Sequence, residues 1–209
     1  MKTIYFIKNL TIALMCMIIA TGTLLAQNEV KQFTIKPYAG FSGSIFNVDH
    51  YSDYFDPRYG FHVGVEGEYQ FAPKWSVAIG AVYSMGGAKY SDYSGSNRSA
   101  TLKNDRIFVP VVARWYAWRG LSINAGIAPA FVVNATSFEL NRARKFDLCV
   151  PLGISYEFDY HLVVGIEGFM GLLNVYPNKE YNENLTHSNS TKIYQYNGFV
   201  SLGYKFKVK

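Results

Sequence analysis

Cysteine and charge are both scarce in this 209-residue chain. Of the 2 cysteines, Cys16 lies in the segment interpreted below as an export signal. The mature chain therefore keeps only Cys149, and an intramolecular disulfide is excluded. Charged residues make up 17% of the chain, and its Lys and Arg residues are scattered rather than clustered on one stripe. This distribution excludes a nucleic-acid-binding surface.

Long apolar runs are absent beyond the N-terminus, which excludes a membrane-spanning helix in the mature chain. At the N-terminus, Lys2 and Lys8 precede an apolar run, and small residues follow it up to Ala26. The run holds about a dozen residues, fewer than the roughly 20 that a spanning helix needs. The pattern predicts a cleaved secretory signal over residues 1–26 and a single domain over residues 27–209. Loss of the two lysines lowers the formal net charge from +5 to +3.

Apolar stripes of helical period are also absent, and two-residue alternation takes their place. In the stretch 60–71, GFHVGVEGEYQF, the apolar residues Phe61 and Val65 alternate with polar residues such as Glu66. The same period recurs in eight segments of about 13 to 16 residues, a length that suits tilted membrane-spanning strands. The predicted strands cover residues 33–46, 59–71, 74–88, 104–117, 120–134, 145–158, 161–174 and 193–208.

The connections between these segments alternate in length. Three are tight turns, at Ala72-Pro73, Trp118-Arg119 and Asp159-Tyr160. Short turns on one rim and long polar loops on the other are typical of outer-membrane barrels. The sequence therefore predicts an all-β fold, an eight-stranded antiparallel up-and-down transmembrane β-barrel. The four long connections, rich in Ser, Asn, Tyr, Asp and Gly, cover roughly residues 47–58, 89–103, 135–144 and 175–192.

One parity of each predicted strand is apolar and uncharged, as at Val65, Ile123 and Leu202. An eight-stranded barrel is only just wide enough inside for side chains to fill, so dozens of large apolar residues must face outward, into lipid. The opposite parity is mostly small, with a few charges that would cost several kcal/mol each if they were buried unpaired. We therefore expect a hydrogen-bonded polar network in the lumen, consisting of Lys36, Glu66, Glu68, Arg106, Arg114, Glu157, Glu167 and Lys205.

Aromatic residues concentrate near the short turns and near the C-terminal end, and all 3 Trp are among them. Aromatic rings prefer the interface between membrane and water, so this concentration predicts a girdle at one interface. The predicted girdle consists of Phe71, Trp75, Trp115, Trp118, Tyr156, Phe158, Tyr160, Tyr204 and Phe206.

In this architecture, and in its closing strand NGFVSLGYKFKVK, the chain resembles the small bacterial outer-membrane β-barrel family. The likeness is to OmpA/OmpX-type barrels and to the porin-like outer membrane protein β-barrel domains of Bacteroidota. The resemblance implies insertion into the outer membrane of a Gram-negative bacterium, contact with its lipid and lipopolysaccharide, and handling by the barrel-assembly machinery. Members usually end on an aromatic residue that this machinery reads, whereas here Lys207, Val208 and Lys209 follow Phe206.

For function, the sequence favours a structural or surface-contact role through the long loops, with a surface ligand or protein as partner. A narrow porin-like channel is the first alternative, and a lipid-modifying enzyme and a secreted soluble ligand-binding barrel are the others. No enzyme is expected, because His187 and Ser190 differ in spacing from the lipid A deacylases and lie in a loop. No metal or other cofactor is expected, because His62 and Glu66 supply only two ligands.

Overall fold

The computed structural model describes residues 30–48, 55–91, 99–118, 120–135, 144–175 and 192–208, and the predicted signal, 1–26, lies outside them. The described strands form one antiparallel sheet that closes on itself, because β10 pairs with β1. Within these ranges, no helix is long and apolar enough to cross a membrane. The strands are β1 (Gln32–Val48), β2 (Phe55–Ala72), β3 (Trp75–Ser84), β4 (Gly87–Ser91), β5 (Ser99–Phe108), β6 (Val111–Trp118), β7 (Leu121–Ala135), β8 (Phe146–Glu157), β9 (Leu162–Gly171), β10 (Ile193–Tyr204) and β11 (Phe206–Val208).

The predicted closed, antiparallel, all-β barrel is confirmed, but the predicted number of eight strands is wrong. Within the described residues there are ten strands of five or more residues and a three-residue eleventh. Three of the predicted strands are each divided in two, because regular pairing is interrupted at residues 85–86, at residues 109–110 and at Lys205.

Two of these interruptions have a clear local cause. Pro110 has no backbone N–H to donate to a neighbouring strand, so it ends β5 and β6 begins after it. At the start of β4, Gly87 has a φ of +123°, and a Cβ there would lie 1.9 Å from the carbonyl oxygen of Leu102. Only glycine fits this position, so the chain bends between β3 and β4.

The strands extend further at the long-loop rim than the sequence predicted. Residues 55–57 of β2 and residues 99–103 of β5 pair with β4, and both of these ranges lie beyond the predicted strand ends. At the opposite rim, the short connections join Ala72 to Trp75, Trp118 to Leu121 and Glu157 to Leu162.

The polar and apolar faces of the wall are inverted relative to a soluble barrel. Outward residues such as Phe41 and Ile166 are 79% and 65% exposed, whereas the inward residues Glu66 and Arg114 are 5% and 2% exposed. Soluble domains seldom expose so large a continuous apolar surface. The charged side chains and the most deeply buried aromatic rings therefore lie together in the lumen. The lumen is accordingly the candidate functional site.

Candidate functional site: the barrel lumen

The lumen nearest the short turns contains a network of six charges, which we call the basal layer: Lys36, Glu66, Glu68, Arg114, Glu157 and Lys205. Arg114 is the hub, because it contacts two carboxylates. Its Nη1 and Nη2 donate to the two oxygens of Glu66 at 2.9 and 3.1 Å, and Nη1 also donates to Glu68 at 2.5 Å. Paired, two-pronged contact of this kind fixes both groups in one geometry.

Lysines at either side complete the basal layer. Lys36 Nζ lies 3.1 Å from Glu66, and Lys205 Nζ lies 3.2 Å from Glu68 and 2.6 Å from Glu157. Three basic and three acidic groups thus neutralise one another, as buried charges must if the fold is to be stable.

Small side chains make the contacts of Arg114 possible. Arg114 lies on β6 and Glu66 on β2, and both strands pair with β3, which runs between them. Near the short turn, the inward residues of β3 are Ser76, Ala78 and Gly80, so the guanidinium reaches over them to the carboxylates. Ser76 also donates to Glu68 at 2.5 Å. The small inward residues seen in the sequence therefore leave the space that the charged side chains fill.

Above the basal layer lies a layer of packed rings, which we call the aromatic belt: Tyr38, His62, Phe108, Phe169 and Phe199. His62 stacks on Phe199 with ring centroids 4.6 Å apart, and Phe169 lies 4.9 Å from both Phe199 and Phe108. Ala128, Ala130 and Cys149 pack into the same buried cluster. The apolar rings of Phe108, Phe169 and Phe199 are in mutual contact, whereas His62 and Tyr38 add polar atoms to the belt.

The lumen nearest the long loops holds two separate ion pairs, which we call the upper layer: Arg58 with Asp105, and Arg106 with Asp147. Each pair has a closest N–O distance of 2.7 Å. Arg58 also donates to the carbonyl of Gly86, and Asp105 accepts from the Gly86 N–H at 3.1 Å, so this pair holds the bend between β3 and β4.

Amide groups and hydroxyls extend the upper layer without adding charge. Asn104 donates to Gln195 at 2.8 Å, and Gln195 donates to Ser44 at 3.0 Å. Asp147 accepts from the backbone N–H groups of Leu148 and Leu173 at 2.8 and 3.0 Å. The hydrogen bonds from Asn104 to Gln195 and from Gln195 to Ser44 therefore connect β5, β10 and β1.

The structure brings six of the eight predicted network residues together in the basal layer and puts Arg106 in the upper layer. Glu167 accepts a hydrogen bond from Asn124 at 2.8 Å, and no ion pair involves it within the described residues. Three residues of the upper layer were missed. Arg58 lies before the predicted start of its strand, and Asp147 shares the inward parity of Cys149. Asp105 sits at a register shift and is buried between the inward residues Asn104 and Arg106.

Most carboxylates in the lumen, which are potential metal ligands, are engaged in ion pairs. Within the residues that the structure describes, no group of three or more His, Cys, Asp or Glu side chains is arranged to hold a metal ion. The carboxylates of the basal and upper layers are engaged by basic side chains, so the arrangement is suited to holding strands together.

Comparison with known families decides the class of protein. Residues 25–209 match the family model described as outer membrane protein beta-barrel domain. The chain belongs to this family. Its location is therefore the outer membrane of a Gram-negative bacterium, with the short turns on the periplasmic side and the apolar wall in lipid. The narrower resemblances, to OmpA/OmpX-type barrels and to the porin-like barrel domains of Bacteroidota, stay predictions.

Solved structures of other outer-membrane barrels are similar to the chain. OprG from Pseudomonas aeruginosa is 13% identical with a TM-score of 0.45, and the match covers 85% of this chain and 97% of OprG. Ail of Yersinia pestis is 14% identical with a TM-score of 0.40, covering 85% and 100%. Neisserial surface protein A is 12% identical with a TM-score of 0.45, covering 84% and 97%. No curated protein matches the chain.

The predicted girdle residues of this family member lie around the periplasmic rim. Trp75 and Trp118 are exposed on the outer wall, and Trp75 lies 6.4 Å from Trp115. Other rings of the girdle contact one another. The ring centroids are 4.9 Å apart for Tyr156 and Phe158, 5.7 Å for Phe158 and Tyr160, and 4.8 Å for Tyr204 and Phe206. Phe71 is also exposed on the outer wall.

Proposed function

We propose that this outer-membrane barrel is closed to solutes and has a structural or surface-contact role through its long extracellular loops. The supporting observation is the aromatic belt, in which Phe169 touches both Phe108 and Phe199 at 4.9 Å between ring centroids. A polar pore needs a continuous wet path, and packed apolar rings with ion-paired layers on both sides oppose one.

We also propose that the barrel is not an enzyme. The acidic and basic groups of the lumen are engaged with one another, and the aromatic belt separates the two charged layers. Reactive groups in such an interior would be out of reach for a lipid or soluble substrate. The His187 and Ser190 pair considered from the sequence lies outside the described residues.

Conductance in planar bilayers tests whether the barrel is closed. Purified, folded protein is expected to give no steady single-channel current at moderate voltage. Regular current steps that scale with salt concentration would overturn the proposal in favour of the narrow channel. A variant with Phe108, Phe169 and Phe199 all changed to Ala serves as the positive comparison, since it removes the rings of the belt. Its matched control changes three outward residues, Phe41, Phe61 and Phe131, to Ala.

The surface-contact role rests on loop composition, because the tips of the long loops lie outside the described residues. Tyr51, Tyr54, Tyr93 and Tyr181 stand among Asp, Ser and Asn. Tyrosine gives a large contact area for little loss of conformational entropy. Barrels in lipid nanodiscs are expected to bind surface glycans or proteins, and shortening 178–189 to a Gly-Ser linker is expected to weaken that binding. Equal binding by both forms would count against a role for this loop.

A further inference from the structure

The outer wall is not evenly covered by large side chains. A groove of about 800 Å³ runs across β7, β8 and β9, starting at Trp118 and Tyr156 on the periplasmic rim. None of the described residues that line it is charged. Its volume falls within the roughly 300–1,000 Å³ range of ligand sites in proteins.

The register explains why the wall is hollow at this place. In one cross-strand row, Ala125 on β7 and Gly168 on β9 flank Leu152 on β8. Two residues nearer the periplasmic rim, the matching row is Ile123, Ile154 and Ile166, all large. The groove therefore deepens toward the middle of the membrane.

The glycine in the deep row is not required by the fold. A Cβ at Gly168 would meet only the carbonyl oxygen of Leu152, at 4.0 Å, and its φ is not in the left-handed region. The position therefore accepts a side chain without displacing protein atoms. The residues that the structure describes leave the hollow unfilled, so lipid of the surrounding membrane can enter it.

We propose that this groove binds one hydrocarbon chain of a phospholipid from the periplasmic leaflet. Its axis spans four residues, from the row of Tyr156 to the row of Leu152, or about 13 Å at ~3.3 Å per residue. Half of a ~30 Å hydrocarbon core is about 15 Å, and a strand tilt of roughly 40° converts the length along the strand into about 10 Å of depth, so the groove lies within one leaflet. Trp118 and Tyr156 stand where the lipid headgroup would begin, which is the depth that such rings favour.

Dispersion contact is the source of selectivity here. Lipid tails are as apolar as leucine, so the hydrophobic effect does not favour a lipid chain in the groove over one in the bulk bilayer. A hydrocarbon chain in the groove makes dispersion contacts with its floor and both sides, and an unfilled groove would lack these contacts. We therefore expect a modest but saturable preference over lipid elsewhere on the wall.

Quenching of Trp118 fluorescence measures this preference. With Trp75 and Trp115 changed to Phe, the protein in detergent micelles free of phospholipid reports only from Trp118. Adding phosphatidylcholine with brominated chains is expected to quench it steeply, with saturation at a several-fold lower mole fraction than bulk contact requires. Quenching that is simply proportional to the brominated fraction would overturn the proposal.

Two filling variants and a matched control locate the site. Ala125→Leu and Gly168→Leu each put a side chain into the groove and are expected to abolish the steep component. Ala39→Leu adds the same side chain as the first variant at an outward, exposed position on β1, away from the groove, and is expected to keep it. Loss of the component in all three variants would overturn the assignment. So would a dimer, detected by native mass spectrometry, that only the filling variants dissociate, since a second copy would then occupy the groove.

Discussion

The basal and upper layers use buried charge in different ways. In the basal layer, Arg114 serves both Glu66 and Glu68, and Lys205 serves both Glu68 and Glu157. In the upper layer, each basic side chain has one carboxylate, and backbone N–H groups and amides supply the rest. The basal layer is therefore a connected network, whereas the upper layer consists of independent pairs.

This difference determines how each layer responds to damage. In a connected network, removal of one hub leaves several groups with unbalanced charge, and the cost is spread over several strands. In a pair supported by neutral donors, the remaining partner keeps most of its hydrogen bonds. The periplasmic half of the lumen is thus expected to be the half on which barrel stability depends most.

Arg114→Met is expected to have the largest effect. It leaves the three carboxylates of the basal layer with only two lysines, and removing one partner from a buried ion pair costs about 3–5 kcal/mol. Unfolding in denaturant, followed by heat-modifiable migration on a gel, measures the loss. Adding Glu66→Gln to this variant is expected to restore part of the stability, because it removes the excess charge. A loss below about 1 kcal/mol would contradict the hub role.

Arg58→Met in the upper layer is expected to cost less, about 2 kcal/mol. Asp105 keeps its hydrogen bonds from the Gly86 N–H at 3.1 Å and from Asn134 at 2.8 Å, so the carboxylate stays partly satisfied. The same unfolding measurement applies, with Arg114→Met as the reference. A loss equal to that of the reference would mean that the two layers do not differ in the way proposed.

Coupling between sites distinguishes a network from pairs directly. Glu68 and Glu157 share Lys205, so Glu68→Gln and Glu157→Gln are expected to be non-additive by about 1–2 kcal/mol in a double-mutant cycle. Glu68→Gln and Asp147→Asn lie in different layers and are expected to add within about 0.5 kcal/mol. Strong coupling across the aromatic belt would show that the layers act as one unit.

The sequence predicted the two faces of the wall but not the partners within the lumen. Alternation assigns Glu66 and Arg114 to the inside, but their contact depends on strand register and on the tilt of the barrel, which a single sequence does not reveal. The signal for the strand break at Pro110 was present in the sequence, because proline interrupts a ladder.

The missed residues have physical causes as well. Strict alternation assigns Arg106 to the inside and Asp105 to the outside, but Asp105 is buried as well, at the register shift between the two residues. The aromatic belt could have been predicted from the alternation alone, since Phe108, Phe169 and Phe199 alternate with outward residues. The prediction of a lumen filled by small residues and charges overlooked it, because the small residues dominate the inward parity.

Glu167→Gln is expected to have the smallest effect, within about 1 kcal/mol in either direction. Glu167 belongs to neither layer, and its one described hydrogen bond comes from Asn124 at 2.8 Å, which a glutamine oxygen also accepts. Glu66→Gln is the matched comparison, because the same chemical change there removes a carboxylate that faces both Arg114 and Lys36. Unfolding of both variants under identical conditions gives the contrast. Equal destabilisation by Glu167→Gln and Glu66→Gln would mean that a basic group balances the charge of Glu167. The basal layer would then extend closer to the aromatic belt than its six residues do.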